Sequence, residues 1–448
     1  MRVLILTPEF EVGGGIRTFY RNLIPALREC GVEVRVLEGS AVFAGSGETR
    51  TIGGVAVESL DLARLQCWWD RFPAYAATPG LRRHLAAAWA MWEQAGNRDG
   101  ADIVEASDWG LLFLPPVVES QTPVIVQGHG SVGQIATHDP LEGEETENAL
   151  ERLIERAALA CWAPVQTYSR ANADFWGGET GRSVEMIRPA VPPPRGGTMP
   201  RVSDRGLVVG RIQRWKGPHI LCQAVERLGA RAPGIDWFGR DTDFGRHGAS
   251  TAANLAELHP GVWGTRVRPH ASIPVAEVAA HQAGALFNLV PSSWDVFNFT
   301  AAEAMASGRP SVVSTGAGAS ELIVDGENGF LFDAEDATGL AAAIDRVLTA
   351  SPAHLAEVGA AGRETVCRQL DPATIAAARI AAWRSAIDSF HAAPPVPVTG
   401  WLGEICRPGP TASVEGAFLS HHPMRTLAGH LARRVREKVG AAVGRRRG

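Results

Sequence analysis

A unit consisting of a short apolar run, a turn and a segment of helical periodicity recurs along this chain in two separate series, and this limits the fold more than any other feature. The first series opens at Arg2–Pro8 (RVLILTP), an unbroken apolar run of the kind expected of a strand buried on both faces. Gly13-Gly14-Gly15 follows, then a segment with Phe19, Leu23 and Leu27 on one face that stops at Gly31, then a second run at Val32–Leu37. Further strand-like runs lie at Ala101–Glu105, Pro123–Gln127 and Cys161–Gln166, with helical segments between them. The second series reads as strand Leu207–Gly210, helix Pro218–Leu228, strand Ile235–Phe238, helix Val275–Ala283 and strand Ala285–Val290. Between the two series, VPPPRGGTMPR (191–201) has the proline and glycine density of a linker.

Alternating strands and helices build parallel sheets covered on both faces. The expected class is therefore α/β, with two Rossmann-like doubly wound domains, 1–195 and 196–371, facing a central cleft. Helices at Ala337–Ala350 and Pro352–Arg368 close the second domain, a long helix at 372–391 follows, and 392–448 forms an extension. A chain of 448 residues exceeds one comfortable core and agrees with two.

Composition narrows the function classes. The six cysteines are far apart with no CxxC pair, so neither a zinc site nor a disulfide framework is expected, and a reduced, cytoplasmic setting is the expectation. The start is too short in apolar residues for a signal peptide, and no apolar run is long enough to span a bilayer. Residues 423–448 carry eight Lys/Arg against one Glu, about +7 of a chain whose net charge is -5, which leaves about -12 on the remainder. An acidic body repels nucleic acid, so no nucleic-acid partner is expected. The tail repeats Leu427, Leu431, Val435, Val439 and Val443 among arginines; it reads either as a basic amphipathic helix making peripheral membrane contact or as a solvated basic end.

The chemistry concentrates in Leu289–Phe332, read as strand, loop with Asp295, helix with Glu303, strand ending at Ser314, and glycine turn. In a parallel sheet that loop opens onto the ligand crevice, and the helix after it turns its positive end toward any anion there. A phosphate-bearing ligand is expected. The Gly13–Gly15 loop fails the GxGxxG dinucleotide pattern because Thr18 stands at the third glycine position, which disfavours a nicotinamide oxidoreductase. Two readings of it stay open: a tight turn, or amides of Gly14 and Gly15 approaching a diphosphate or an acceptor.

These residues resemble a known family. Asp295, seven residues, Glu303 and then Ala304-Met305-Ala306-Ser307-Gly308 is similar to the signature of glycosyltransferase family 4, retaining enzymes of the GT-B fold. Glu321, Gly326 and Gly329 continue the match, and Gly210-Arg211 with Lys216-Gly217 resembles the family's cation pair. The resemblance covers about 1–391 and implies a sugar transfer from a nucleotide-diphosphate sugar to a hydroxyl acceptor: a saccharide, a lipid-linked acceptor or a small molecule. It implies that Arg211 and Lys216 stabilise the departing diphosphate. It implies that Glu303 holds the ribose hydroxyls, that Gly210 and the amides around Asn298, Phe299 and Thr300 meet the donor, and that Asp295 faces the transferred sugar. His129, at the end of the run Val124–Gly130, is implied beside the reaction centre, and Asp108 is read either as orienting an acceptor or as a loop cap. Trp109, Trp215 and Trp294 are read as packing residues or as sugar-stacking ones.

No cofactor or metal is implied, the nucleotide sugar being a co-substrate, and a role in cell-surface polysaccharide or glycolipid synthesis suits the family. Two departures stand out: Asp295 where the family has Glu, and Asn298 where it has Gly. They keep open a GT-B protein altered in catalysis that binds sugar or nucleotide, and beside it a GT-B epimerase or phosphorylase.

Overall fold

The computed structural model describes residues 1–11, 13–42, 44–96, 100–193, 202–407, 428, 429, 431, 432, 435 and 436. The first sheet contains β1 (Arg2–Thr7), β2 (Glu33–Glu38), β3 (Thr49–Ile52), β4 (Val55–Ser59), β5 (Ile103–Ser107), β6 (Val124–Gln127), β7 (Val165–Thr167) and β8 (Glu185–Met186). Their order across the sheet is β3-β4-β2-β1-β5-β6-β7-β8, and every pairing is parallel except the hairpin β3–β4. Order reverses between β1 and β5, and such a switch point opens a crevice at the strands' carboxyl ends. Gly14-Gly15, Asp108 and His129 follow β1, β5 and β6 and line that end.

The helices that accompany this sheet in chain order are α1 (Gly15–Glu29), α2 (Leu62–Trp69), α3 (Pro79–Gln94), α4 (Leu114–Glu119), α5 (Val132–His138), α6 (Glu145–Leu159) and α7 (Arg170–Thr180). The apolar stripe of α1, with Phe19, Leu23 and Leu27 each at most 1% exposed, is the face that its spacing predicts.

The second sheet is built from β9 (Gly206–Val209), β10 (Ile235–Phe238), β13 (Val267–His270), β14 (Asn288–Val290), β15 (Ser311–Ser314) and β16 (Phe330–Phe332), in the order β13-β10-β9-β14-β15-β16 and all parallel. A separate antiparallel hairpin, β11 (Asp243–Phe244) with β12 (Arg246–Ser250), projects from it. Helices α8 (Pro218–Leu228), α9 (Thr251–Leu258), α10 (Val275–Gly284), α11 (Phe299–Ala306), α12 (Ala337–Thr349) and α13 (Pro352–Gln369) accompany this sheet. The next helix, α14 (Pro372–Ala392), packs on α1 and β6 of the first sheet.

Several strands are shorter than their apolar runs. Residues 161–163 turn after α6, and within β7 Val165 and Gln166 pair with β6. At the start of the run 285–290, the carbonyls of Ala285 and Leu286 accept from the guanidinium of Arg309 (2.9 and 3.0 Å). Pairing with β15 therefore begins only at Asn288. The hairpin β3–β4 carries its own signal in the sequence, since Gly53-Gly54 takes φ of +60° and +79°.

The extension is not wholly irregular. Helix α15 (Gly400–Cys406) packs on the first domain, where Leu402 and Cys406 are buried and Trp89 Nε1 donates to the Cys406 carbonyl (2.6 Å). Most of the basic tail lies outside the described residues; the six described ones are helical and exposed. All six cysteines are free thiols, and among the described residues no helix is long and apolar enough to cross a membrane.

Candidate active site

The second domain presents a cluster of charge at the carboxyl ends of β9 and β14. Gly217 ends the turn after β9 with φ +75°, and a Cβ there would lie 1.8 Å from the Pro291 carbonyl oxygen. Only glycine allows the two loops to meet so closely. That approach brings Lys216 to Asp295, and its ammonium pairs directly with the Asp295 carboxylate. The same carboxylate oxygen accepts from Asn298 Nδ2 (2.8 Å). Burial pushes the Lys216 ammonium below the usual lysine range; Asp295 opposes this shift and Arg211 adds to it. Arg211 is exposed, and no ion-pair partner is found for it among the described residues.

Asn298 stands at the N-terminus of α11 with φ +76°, and its Oδ1 accepts from the Ala301 amide (3.1 Å). The side chain therefore does two things that a glycine cannot: it caps the helix and it grips Asp295. Asparagine is among the residues that tolerate a left-handed backbone, so the substitution keeps the loop's turn. The amides of Phe299 and Thr300 are first-turn donors with no intrahelical acceptor, and none of the described residues supplies one. They remain free for an anion. One turn further, Glu303 is half-buried with no hydrogen-bond partner among the described residues, and burial raises its carboxyl to about 7.

The first domain faces this cluster. A Cβ at Gly15 would lie 3.8 Å from the Phe299 ring, so the N-termini of α1 and α11 oppose each other across the cleft. The Gly14 amide does not face the cleft freely; it donates to Glu9 Oε1 (2.7 Å), which also takes the Arg17 amide (3.3 Å). Glu9 was not singled out by sequence reading, although a carboxylate a few residues ahead of a glycine turn and helix is a ready cap. Gly210 is also occupied: its amide donates to the Phe238 carbonyl (3.0 Å) and its carbonyl accepts from Trp237 Nε1 (2.8 Å). Its backbone therefore spaces the Arg211 loop and offers no free amide.

Asp108 is buried, and its two carboxylate oxygens accept from the amides of His129 (2.9 Å) and Gly130 (3.2 Å). Burial raises its carboxyl to about 7 against the lowering pull of those amides. Of the two sequence readings this geometry favours the loop cap, with Asp108 shaping the His129 turn. His129 itself sits among aromatic rings, Nδ1 against the Tyr168 hydroxyl and Nε2 3.4 Å from the Tyr20 hydroxyl. Burial, with the charge of Arg379, holds the imidazole well below its usual pKa, so the ring is neutral.

Contacts between the domains surround the site. Glu321 accepts from the amides of Arg170 and Ala171 (3.0 Å each), so an acid of the second domain caps α7 of the first. Ser169 Oγ donates to the Val296 carbonyl (2.8 Å). Among the described residues no group of three or more His, Cys, Asp or Glu is arranged to hold a metal.

A group 1 glycosyltransferase family model, described as "Glycosyl transferases group 1", matches residues 203–350, the span that contains Arg211, Lys216, Asp295 and Glu303. A D-inositol 3-phosphate glycosyltransferase of Pseudarthrobacter chlorophenolicus is 32% identical over 414 residues, covering 86% of this chain and 94% of that relative. The chain belongs to the group 1 glycosyltransferases. This is the family 4 resemblance read in the sequence, and the glycosyltransferase has the GT-B fold of two facing parallel-sheet domains. Sucrose-phosphate synthase from Thermosynechococcus elongatus superimposes with a TM-score of 0.67 at 19% identity, covering 87% of this glycosyltransferase and 100% of that chain. An Anabaena protein, HepE, solved in complex with UDP-glucose, gives 0.62 at 16%, covering 86% and 100%.

Proposed function

We propose that this glycosyltransferase moves a sugar from a nucleotide-diphosphate sugar to a hydroxyl acceptor with retention of anomeric configuration and without a metal. The observation that carries the reading is the juxtaposition of Lys216, Arg211 and the open amides of α11 with the unpartnered carboxylate of Glu303 one turn on. Two cations and a helix N-terminus form a seat for a diphosphate leaving group. A carboxylate without a protein partner accepts the two hydroxyls of a ribose. Charge that builds on the departing diphosphate is met by groups already in place, which is where electrostatic catalysis gains most.

In this reading the acceptor hydroxyl attacks from the face that the diphosphate leaves, and its proton passes to a diphosphate oxygen. In the same reading the acceptor lies against the first domain, near the turn that Asp108 holds. Relatives named for D-inositol 3-phosphate make polyol phosphates the first acceptors to screen, followed by saccharides and lipid-linked acceptors of a cell-surface pathway. Membrane contact through 423–448 belongs to the same proposal. One observation favours a second reading, a protein that binds donor but transfers slowly: Lys216 and Asn298 both engage Asp295 Oδ2, which leaves only its Oδ1 for a sugar hydroxyl.

Glu303 supplies the test. Its carboxyl is raised in the folded chain, so the stability it contributes is present below its unfolded value of about 4.3 and is lost as pH rises through about 7. Ribose hydroxyls donate best to the ionised form, so donor affinity should rise as pH climbs through about 7. Titration calorimetry of the wild type and Glu303→Gln with nucleotide sugars at pH 6 and pH 8 reads this. The wild type should gain affinity over the interval, and Glu303→Gln should bind about 10-fold or more weakly at pH 8 with little pH dependence. Equal affinities for the two proteins would remove Glu303 from the donor site.

A further inference from the structure

Three aromatic rings run in contact from one domain to the other beside the Lys216–Asp295 pair. His138, the last residue of α5, stacks on Trp294 with centroids 4.3 Å apart and planes 5° from parallel. Trp294 lies against Trp215 at 5.0 Å. The face of Trp215 carries the Lys216 ammonium at 4.2 Å and has the Arg211 guanidinium at 5.9 Å. Trp215 is 5% exposed, and Trp294 and Lys216 are each joined by one peptide bond to a member of the charge cluster or its support.

The first-domain end of this row is anchored. Ser131 Oγ accepts from the Gln134 amide (3.1 Å) at the start of α5 and donates to Glu155 (2.7 Å), which fixes the helix that ends in His138. Burial lowers the His138 pKa, so the ring stacks as a neutral imidazole; Glu335 and Arg152 are the charged groups that act on it, with opposite signs. Next to the stack, Gln213 Nε2 donates to Asp139 Oδ2 (2.6 Å). Beyond it the hairpin β11–β12 meets the loop before α6, with the Glu142 amide on the Gly245 carbonyl (2.5 Å) and His247 Nε2 against Glu144 Oε1 (2.5 Å). The His138–Trp294, Gln213–Asp139, Glu142–Gly245 and His247–Glu144 contacts span the two domains, so the first-domain end of the row is in place only when the domains lie this close.

We propose that His138, Trp294 and Trp215 are positioning residues that couple closure of the cleft to the placement of Lys216. With the cleft closed, His138 holds Trp294, Trp294 presses Trp215 into place, and the indole face keeps the ammonium desolvated and turned to Asp295. With the cleft open the row loses its first-domain end, Trp215 gains freedom and Lys216 gains water. Cation–π attraction of this kind is strongest when the cation is desolvated. The cations are thereby placed for the leaving group when the acceptor domain is in position, and donor is less exposed to attack by water before then.

This inference rests on the reading of Lys216 as a leaving-group cation, and its test separates the two. The chain has only two lysines, Lys216 and Lys438, so lysine labelled with 13C gives two signals, and Lys438→Arg identifies Lys216. The probe is the titration of that signal in the full chain with no ligand added. His138→Ala removes a ring that does not touch Lys216, and it should move the Lys216 titration upward, toward the ordinary lysine value, by about half a unit or more. His138→Phe keeps a stacking ring and should restore the wild-type titration, which a loss of fold would not. With donor and acceptor supplied, His138→Ala should lower kcat about 10-fold while the donor KM changes less than about 2-fold. A Lys216 titration unmoved in both His138→Ala and Trp294→Leu overturns the coupling. A Lys216 titration that responds to His138→Ala while the wild type turns over no nucleotide sugar overturns the functional reading instead.

Discussion

Lys216→Ala should lower kcat by about 1000-fold while the chain stays folded. The ammonium is the half-buried cation of the cluster, paired with Asp295 and resting on Trp215. Removing one preorganised donor from a site where negative charge develops costs about 3–4 kcal/mol, which converts to roughly 100- to 1000-fold. The upper end applies here because the substitution also leaves the Asp295 carboxylate beside the diphosphate without its counter-charge. Lys216→Arg keeps the charge but not its compact point-like geometry, and should recover only part of the loss. Asp295→Asn in the Lys216→Ala background should recover a further part, because it removes the uncompensated repulsion. Steady-state rates for the four proteins measure this series, and turnover unchanged in Lys216→Ala would exclude the leaving-group role.

The second large effect concerns stability. Arg379 on α14 and Glu105 on β5 are both fully buried, 2.7 Å apart, and each has a further partner: Gln127 for the guanidinium, and Trp383 Nε1 at 3.0 Å for the carboxylate. A buried pair contributes little net stability as a pair, because desolvation offsets its attraction, yet removing one member leaves a charge with neither water nor counter-ion. Arg379→Leu should therefore destabilise the first domain by about 3–5 kcal/mol, lowering its melting temperature by roughly 10 °C. Arg379→Leu with Glu105→Leu should recover most of that. Calorimetry of the single and double variants decides it; a double variant no more stable than the single would mean that the cost is lost packing alone. The same pair fastens the helix that follows the second domain onto the first. Its loss should also reach His129, whose neutral state Arg379 helps to maintain.

The two series of strands and helices were legible because buried parallel strands read as continuous apolar runs, and because α1, α8 and α12 to α14 keep one apolar face. The site was legible in part, through residue types at fixed spacings. Glu303 is a half-buried acid without a partner among the described residues and Lys216 a half-buried cation on an acid, surroundings compatible with the roles the motif implies. What those spacings do not carry is which groups are already engaged. Asp108, Gly14 and Gly210 stand where expected, but their polar atoms are taken by the protein itself. Asn298 was noticed as a break in the pattern; that it grips Asp295 and caps α11 depends on a left-handed backbone that a sequence does not display. Glu9 and the row of His138, Trp294 and Trp215 were harder still, since their partners come from loops far apart in the chain.

Opposed helix ends with their cations should form a nucleotide-sugar site. Thermal unfolding of the wild type and Lys216→Ala across a panel of nucleoside diphosphates and nucleotide sugars tests it most directly. Ligand that binds only the folded state adds about 2.7 kcal/mol at 100 times its dissociation constant. At least one nucleotide sugar should raise the wild-type melting temperature by several degrees and Lys216→Ala by much less. A panel that stabilises neither protein, or both equally, would mean that these groups do not form such a site.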